Sequence, residues 1–354
     1  MIKRISSVQK ELRNLEIPAI LINNLTDIKY LSGFTGSTAY MIIDLEKAVL
    51  FTDGRYTIQA TEEVYDHILV EIIKDYSTVF TISCAQYKKI LLQPTCELEL
   101  SNKITNANVE VYLDEKDFIK KLRMLKTASE IRLLKDQYEL AGKAFIQTMK
   151  TVKYDQPEKN WAATLEYHMK TLGAKGESFE TIVASGVRGA MPHGVASDKI
   201  VEKNDPIIFD FGSRVDFNSD YTRMVYSGND EEVLKVIDIV RVAMESAIDG
   251  IKEGLKCSEI DNIARSYITE QGYGDYFTHS LGHGIGLDVH ELPYISKKSN
   301  FVLEDGMVFT IEPGIYLKDK FGVRIEQTVL VTGGKAELIS GYLDKYVYSP
   351  LDYI

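Results

Sequence analysis

Four carboxylates and one imidazole stand out as residues that could do chemistry: Asp210, Asp220, Glu312, Glu326 and His283. Ile207-Ile-Phe-Asp210-Phe-Gly212 is an apolar run reaching an aspartate, and Asn218-Ser-Asp220-Tyr-Thr-Arg223 follows after a short polar turn, which is the pattern of a β-hairpin. A buried carboxylate is strongly disfavoured unless it is paired or bound to a metal, so two of them on adjacent strands point to one cation site. Taken alone, the same two aspartates also fit ordinary turn formers.

Three of the six histidines fall within His279-Ser-Leu-Gly-His283-Gly-Ile-Gly-Leu-Asp-Val-His290-Glu291. Glycines at 282, 284 and 286 disfavour a helix and let the backbone approach another chain or a ligand closely. Thr310-Ile-Glu312-Pro-Gly314 places a carboxylate at a strand end, and Val323-Arg-Ile-Glu326-Gln327 places one within a strand. Strand alternation puts Arg324, Glu326 and Thr328 on one face, with a wet Arg324–Glu326 ion pair as the plainer alternative. Together the five residues make a set of hard oxygens and one nitrogen suited to two divalent ions such as Mn²⁺, Co²⁺ or Zn²⁺. A metal pair of this kind lowers the pKa of water and polarises a carbonyl, which is hydrolysis without a covalent enzyme intermediate. No Ser-His-Asp or reactive-cysteine arrangement competes with it.

The elements that must position these groups are legible from periodicity. Residues 3–16 carry Ile5, Val8, Leu12 and Leu15 at helical spacing, and strand-like runs follow at 18–22, 40–43 and 48–51, as in a small α/β domain. A charged amphipathic stretch then leads to Thr127-Ala-Ser-Glu130, a capping box before a long helix with Ile131, Leu134, Tyr138, Ala141, Phe145 and Met149 on one stripe. The boundary falls near residue 122, giving domains 1–122 and 123–354. Two further helical stripes, one from Val233 to Ile248 and one from Ile260 to Tyr267, alternate with strands expected at 207–211, 222–226, 307–311 and 323–331. Strands and helices segregate in runs, so the expected class is α+β.

Composition narrows the function further. A net charge of -11 offers no basic stripe to nucleic acid. The N-terminal residues show no apolar signal region and no apolar stretch is long enough to span a membrane, so the expected location is cytoplasmic. Cys84, Cys96 and Cys257 are far apart and read as buried thiols in a reducing compartment.

These motifs, with Tyr30-Leu-Ser-Gly-Phe-Thr-Gly-Ser37, Leu50-Phe-Thr-Asp-Gly-Arg-Tyr56, Met191-Pro-His193-Gly194 and Gly322-Val-Arg-Ile-Glu-Gln327, resemble the pita-bread-fold metallopeptidases. The similarity spans nearly the whole chain and points to the branch of Xaa-Pro aminopeptidase and Xaa-Pro dipeptidase (prolidase). It implies a creatinase/prolidase-like N-terminal domain, a pita-bread catalytic domain, and Asp210, Asp220, His283, Glu312 and Glu326 as ligands of two ions, Mn²⁺ first. It further implies that Glu312 handles the proton of the attacking water, that His193 and His290 bind substrate and stabilise the oxyanion, and that His279 lines the pocket beside Arg324 and Tyr294. A homodimer or larger assembly through the N-terminal domain is implied too.

Two departures bear on function. Asp210 and Asp220 are ten positions apart, one fewer than is usual in the family, which is tolerable if the lost residue was a bulge. Tyr294 stands where prolidases resemble one another in an arginine that holds a dipeptide's carboxylate. That absence, with the short N-terminal motifs, favours Xaa-Pro cleavage from longer peptides over the dipeptidase alternative. A catalytically silent relative or a creatinase-like enzyme should lack the five ligands, and a methionine aminopeptidase needs no N-terminal domain.

Overall fold

The computed structural model describes residues 2–77 and 79–353. The chain divides into two compact units, 1–123 and 124–354.

In the first unit the amphipathic helix Ile2–Leu15 buries Ile5, Val8 and Leu12. It precedes β1 (Ala19–Ile22), β2 (Tyr40–Asp44), β3 (Ala48–Asp53), β4 (Leu69–Ile73), β5 (Lys89–Leu92) and β6 (Glu110–Leu113), which form one sheet in the order β4-β3-β2-β1-β5-β6. The β2–β3 hairpin is closed by Asp44, whose carboxylate accepts the N–H groups of Glu46 and Lys47 at 2.8 Å each. A buried carboxylate, Asp27, is tied to Arg123 at 2.7 Å and to the Gln93 amide at 2.6 Å. Cys84 is buried, whereas Cys96 is only half-buried, so not every thiol is enclosed as its sequence suggested.

The second unit opens on the long helix Ala128–Thr151, which has the capping box between Thr127 and Glu130. Its stripe of Leu134, Tyr138, Ala141, Phe145 and Met149 packs with Trp161, Phe209, Phe211 and Tyr221 in one apolar cluster. The helices Glu231–Asp249 and Cys257–Glu270 pack in a second cluster with Phe309, Ile311, Val323 and Ile325.

Between these helical layers lie the strands that carry the chemistry. The short β7 (Gly176–Glu177) pairs with β10 (Ser213–Arg214), while β8 (Ile182–Ser185), β9 (Ile207–Phe211), β11 (Tyr221–Val225) and β19 (Val347–Tyr348) form a sheet in the order β19-β11-β9-β8. A second sheet has the order β13-β12-β14-β17-β18, built from β12 (Gly282–Gly284), β13 (Glu291–Ile295), β14 (Val308–Ile311), β17 (Gln327–Thr332) and β18 (Lys335–Leu338). The hairpin of β15 (Gly314–Leu317) and β16 (Phe321–Arg324) stands between β14 and β17 in sequence.

The expected single strand over 323–331 is therefore two strands. Residues 321–324 pair with β15, residues 327–332 pair with β14 and β18, and the chain breaks between them at Ile325-Glu326. Alternation cannot foresee such a break because both halves are apolar. The buried guanidinium of Arg223 holds it, donating to the carbonyls of Glu326 at 2.6 Å and Leu343 at 3.1 Å.

Candidate active site

The hairpin that delivers the two aspartates is short but in register. Thr222 faces Asp210 across β11 and β9, and Asp220 lies just before β11. The residues between them leave the hairpin, with Ser213 and Arg214 pairing to β7 instead. Ten-residue spacing thus leaves Asp210 and Asp220 converging: with Glu326 they present carboxylate oxygens that all lie within 4.8 Å of one another.

His283 comes from β12, where glycine is required on both sides. A side chain at Gly282 would overlap the Thr310 carbonyl, and one at Gly284 would overlap the Leu292 carbonyl. The His283 N–H donates to Thr310 Oγ1 at 3.0 Å, and its Nδ1 lies 3.1 Å from the Gly284 carbonyl. Only a protonated Nδ1 suits a carbonyl acceptor, which leaves the Nε2 lone pair for a cation. That Nε2 lies 3.2 Å from Glu312 Oε1 and 3.6 Å from Asp220 Oδ2. Thr310 Oγ1 also donates to Glu312 Oε1 at 3.1 Å, so one hydroxyl orients two of the five groups.

All five groups are brought together, in two subsets linked by the Asp220–His283 approach. The electrostatics are unbalanced. Burial, then the charges of the neighbouring carboxylates, push Asp220 and Glu326 well above the usual carboxylate range. Burial raises Asp210 as well, against the opposing pull of Arg324. Glu312 is the exception: burial pushes its carboxyl up, but without metal the hydrogen bond and charge of His283, together with His279 and Arg324, outweigh burial and hold it at about 2. The buried oxygens Asp210 Oδ1 and Glu326 Oε1 have no hydrogen-bond partner among the described residues. Orphaned acceptors of this kind cost stability unless a cation satisfies them, so the donor set fits bound divalent metal.

Arg324 does not pair with Glu326 and is not wet: it is 4% exposed, and its Nη2 donates to Asp210 Oδ2 at 2.6 Å. Its other donors reach Thr222 Oγ1, the Pro192 carbonyl and Tyr316 Oη at 2.8–3.1 Å. This guanidinium orients Asp210 and the pocket wall, and has little left to offer a substrate. Tyr316 Oη in turn lies 2.9 Å from His279 Nε2, while His279 Nδ1 lies 2.7 Å from the Ser280 carbonyl. Both ring nitrogens of His279 are thereby engaged. Burial lowers the pKa of His279 and of His290, which favours the neutral form of both rings.

The cavity above these groups, about 450 Å³, is lined by His193, His279, His290 and Tyr294 together with Asp210, Asp220, His283 and Glu312. Glu326 is absent from its wall and is 1% exposed, so it meets the two aspartates from the protein side. His290 packs on His283 with ring centroids 4.3 Å apart. Tyr294 is 47% exposed, opposite His283 in the β12–β13 pairing. Sequence reasoning missed Thr310 and Tyr316, which stand on β14 and β15 on either side of Glu312, in two different sheets.

The chain is similar to known proteins over nearly its whole length. The pattern of metallopeptidase family M24 matches residues 132–333, and that of the creatinase/prolidase N-terminal domain matches residues 4–125. An Xaa-Pro dipeptidase of Pyrococcus furiosus is 37% identical over 352 residues, covering 96% of this chain and 98% of its own. The solved prolidase of Pyrococcus horikoshii superimposes with a TM-score of 0.92 at 35% identity, over 96% of this chain and 98% of that one. The X-Pro aminopeptidase of Thermotoga maritima gives 0.87 at 40% identity, over 96% and 99%. The chain belongs to metallopeptidase family M24, with the α+β pita-bread architecture of the prolidases behind a creatinase/prolidase N-terminal domain.

Proposed function

We propose that this metallopeptidase hydrolyses Xaa-Pro dipeptides, holding two divalent ions, Mn²⁺ first and Co²⁺ or Zn²⁺ as alternatives, between Asp210, Asp220, His283, Glu312 and Glu326. The observation that carries the metal site is the pair of orphaned buried oxygens on Asp210 and Glu326 among converging carboxylates. The dipeptide preference rests on relatives named as Xaa-Pro dipeptidases or prolidases from two Pyrococcus species. It reverses the order reached from sequence, where Tyr294 favoured longer peptides.

When bound, the metal pair lowers the pKa of water and polarises the scissile carbonyl. The chain's own groups do the rest. Glu312 takes the proton of the attacking water and passes it to the departing proline nitrogen, which has no N–H of its own. His290 donates an N–H to the oxygen that gains charge, and His193, lining the same cavity, does the same. Arg324 and Thr310 keep Asp210 and Glu312 in place, acting through hydrogen bonds already made in the free protein. Tyr294 flanks the end of the substrate that leaves the cavity.

A second reading, removal of the first residue from longer Xaa-Pro peptides, is favoured by exposed Tyr294 at the cavity wall and by the Thermotoga relative. A homodimer through the first unit belongs to the same proposal, supported by Leu69, Val70 and Ile72 exposed on the edge strand β4. No helix among the described residues is long and apolar enough to cross a membrane. The test of substrate is turnover of Ala-Pro, Ala-Pro-Ala and Met-Ala-Ser by the Mn²⁺-loaded protein. Preference for Ala-Pro is expected, preference for Ala-Pro-Ala selects the second reading, and preference for Met-Ala-Ser overturns both.

A further inference from the structure

The loop that carries His193 is built around a carboxylate the reaction does not use. Glu158 opens the helix Glu158–Thr171, and its side chain is completely buried. Its Oε1 accepts the Ser185 N–H at 2.8 Å and the Ser185 hydroxyl at 2.7 Å. Its Oε2 accepts Arg188 Nε at 2.9 Å, the Ser197 N–H at 3.1 Å and the Ser197 hydroxyl at 2.7 Å. One side chain thereby ties down the residue before the loop, a residue inside it and the residue after it. Arg188 completes the closure by donating to the Val195 carbonyl at 2.5 Å.

His193 depends on that closure. It lies between Arg188 and Ser197 in a stretch with tight turns of its own, Met191 N–H to the Arg188 carbonyl and Gly194 N–H to the Met191 carbonyl, both at 3.0 Å. Its imidazole makes no hydrogen bond to any described residue, so the course of the loop backbone, and no hydrogen bond of its own, aims it into the cavity it lines. A buried anion with five donors is a rigid anchor, since each charge-assisted bond is stronger than a neutral one. We propose that Glu158 is the positioning residue that holds His193 against the substrate, an inference resting on the reading that His193 contacts the reacting peptide.

The conservative variant discriminates sharply. The two backbone N–H groups go to different oxygens of Glu158, so in Glu158→Gln either amide orientation sets an NH₂ group against one of them. One end of the loop is released while size is kept. With the Mn²⁺-loaded protein and Ala-Pro, Glu158→Gln is expected to lower kcat by about 10-fold or more at unchanged metal content, since small misplacements of an oriented group have effects of this size. In a His193→Ala background the same change should cost less than about 2-fold, because the group it positions is gone. An equal loss in both backgrounds, or no loss in either, overturns the proposal. Amide hydrogen exchange of residues 185–197 decides it independently of turnover: faster exchange confined to that segment is expected in Glu158→Gln, and unchanged protection overturns it. If the wild-type protein cleaves no Xaa-Pro peptide, the functional reading fails and exchange still tests the anchor. Ser197→Ala, which removes one hydroxyl donor, should raise exchange in the same segment more weakly and serves if Glu158→Gln does not fold.

Discussion

Two sets of buried carboxylates in this chain are handled in opposite ways. In the first unit Asp27 is fully buried, and its oxygens meet Arg123 and Gln93. In the second unit Asp210, Asp220 and Glu326 are also buried, Asp210 alone of the three pairs with the guanidinium of Arg324, and two of their oxygens have no donor among the described residues. Burial raises the pKa of Asp27 too, against the opposing charge of Arg123, so desolvation alone does not separate the two regions. What separates them is satisfaction. Asp27 completes a structural pair, whereas the cluster around Asp210 is complete only with cations that are not side chains.

The sharpest way to break this contrast is to remove one carboxylate from each region. Glu326→Ala and Asp220→Ala should each leave a folded protein that has lost metal and at least about 10³-fold in activity, since the metals supply the nucleophile and polarise the carbonyl. Retention of full activity would contradict this, as read by metal analysis and Ala-Pro turnover. Asp27→Ala should do the reverse: it removes a buried carboxylate to which Arg123 donates and costs about 3–5 kcal/mol of stability in denaturant melts, with metal content per folded chain unchanged.

His290→Ala tests the neutral groups around the cluster. Metals should be retained and kcat should fall by about 10²-fold, the effect of losing an oxyanion donor. An unchanged kcat would assign the ring a packing role against His283.

The pH dependence of the metal-free protein is a smaller effect with a definite sign. Burial raises the folded-state pKa of Asp220 and Glu326, so their contribution to stability is fully present below the unfolded value, about 4, and is lost as pH rises through the folded values. Their share of the thermal stability of the stripped protein, read as the difference between wild type and Glu326→Gln, should fall as pH rises above about 4, and metal should bind more tightly over the same window because it displaces those protons. A difference that grows in favour of wild type with rising pH there would contradict the electrostatic account. The least effect is expected from Thr310→Val, about 10-fold in metal affinity by titration, the scale of a lost outer hydrogen bond.

Much of this site was legible from the sequence because its parts are local. Apolar runs interrupted by Asp210 and Glu312, and glycines flanking His283, are patterns a strand or a close backbone approach imposes within a few residues. The strand Ile207–Phe211 and the capped helix at Thr127 emerge within a residue or so of their expected ends. What stayed hidden depends on partners far along the chain. The break at Ile325-Glu326 is held by Arg223, about a hundred positions earlier, and Arg324 finds Asp210 rather than its near neighbour Glu326. Glu158 gathers Ser185, Arg188 and Ser197 only once the helix and the loop have met. The shortened Asp210–Asp220 connection looked like a threat to the site, yet Ser213 and Arg214 pair with β7 and leave the flanking register intact.

The measurement that tests the central claim most directly is a metal count on stripped protein after adding Mn²⁺, paired with Ala-Pro turnover on the same sample. The orphaned carboxylates predict two ions per chain and activity restored with them. Fewer than one ion per chain, with Ala-Pro uncleaved, would contradict the assignment of this cluster as a working metal centre.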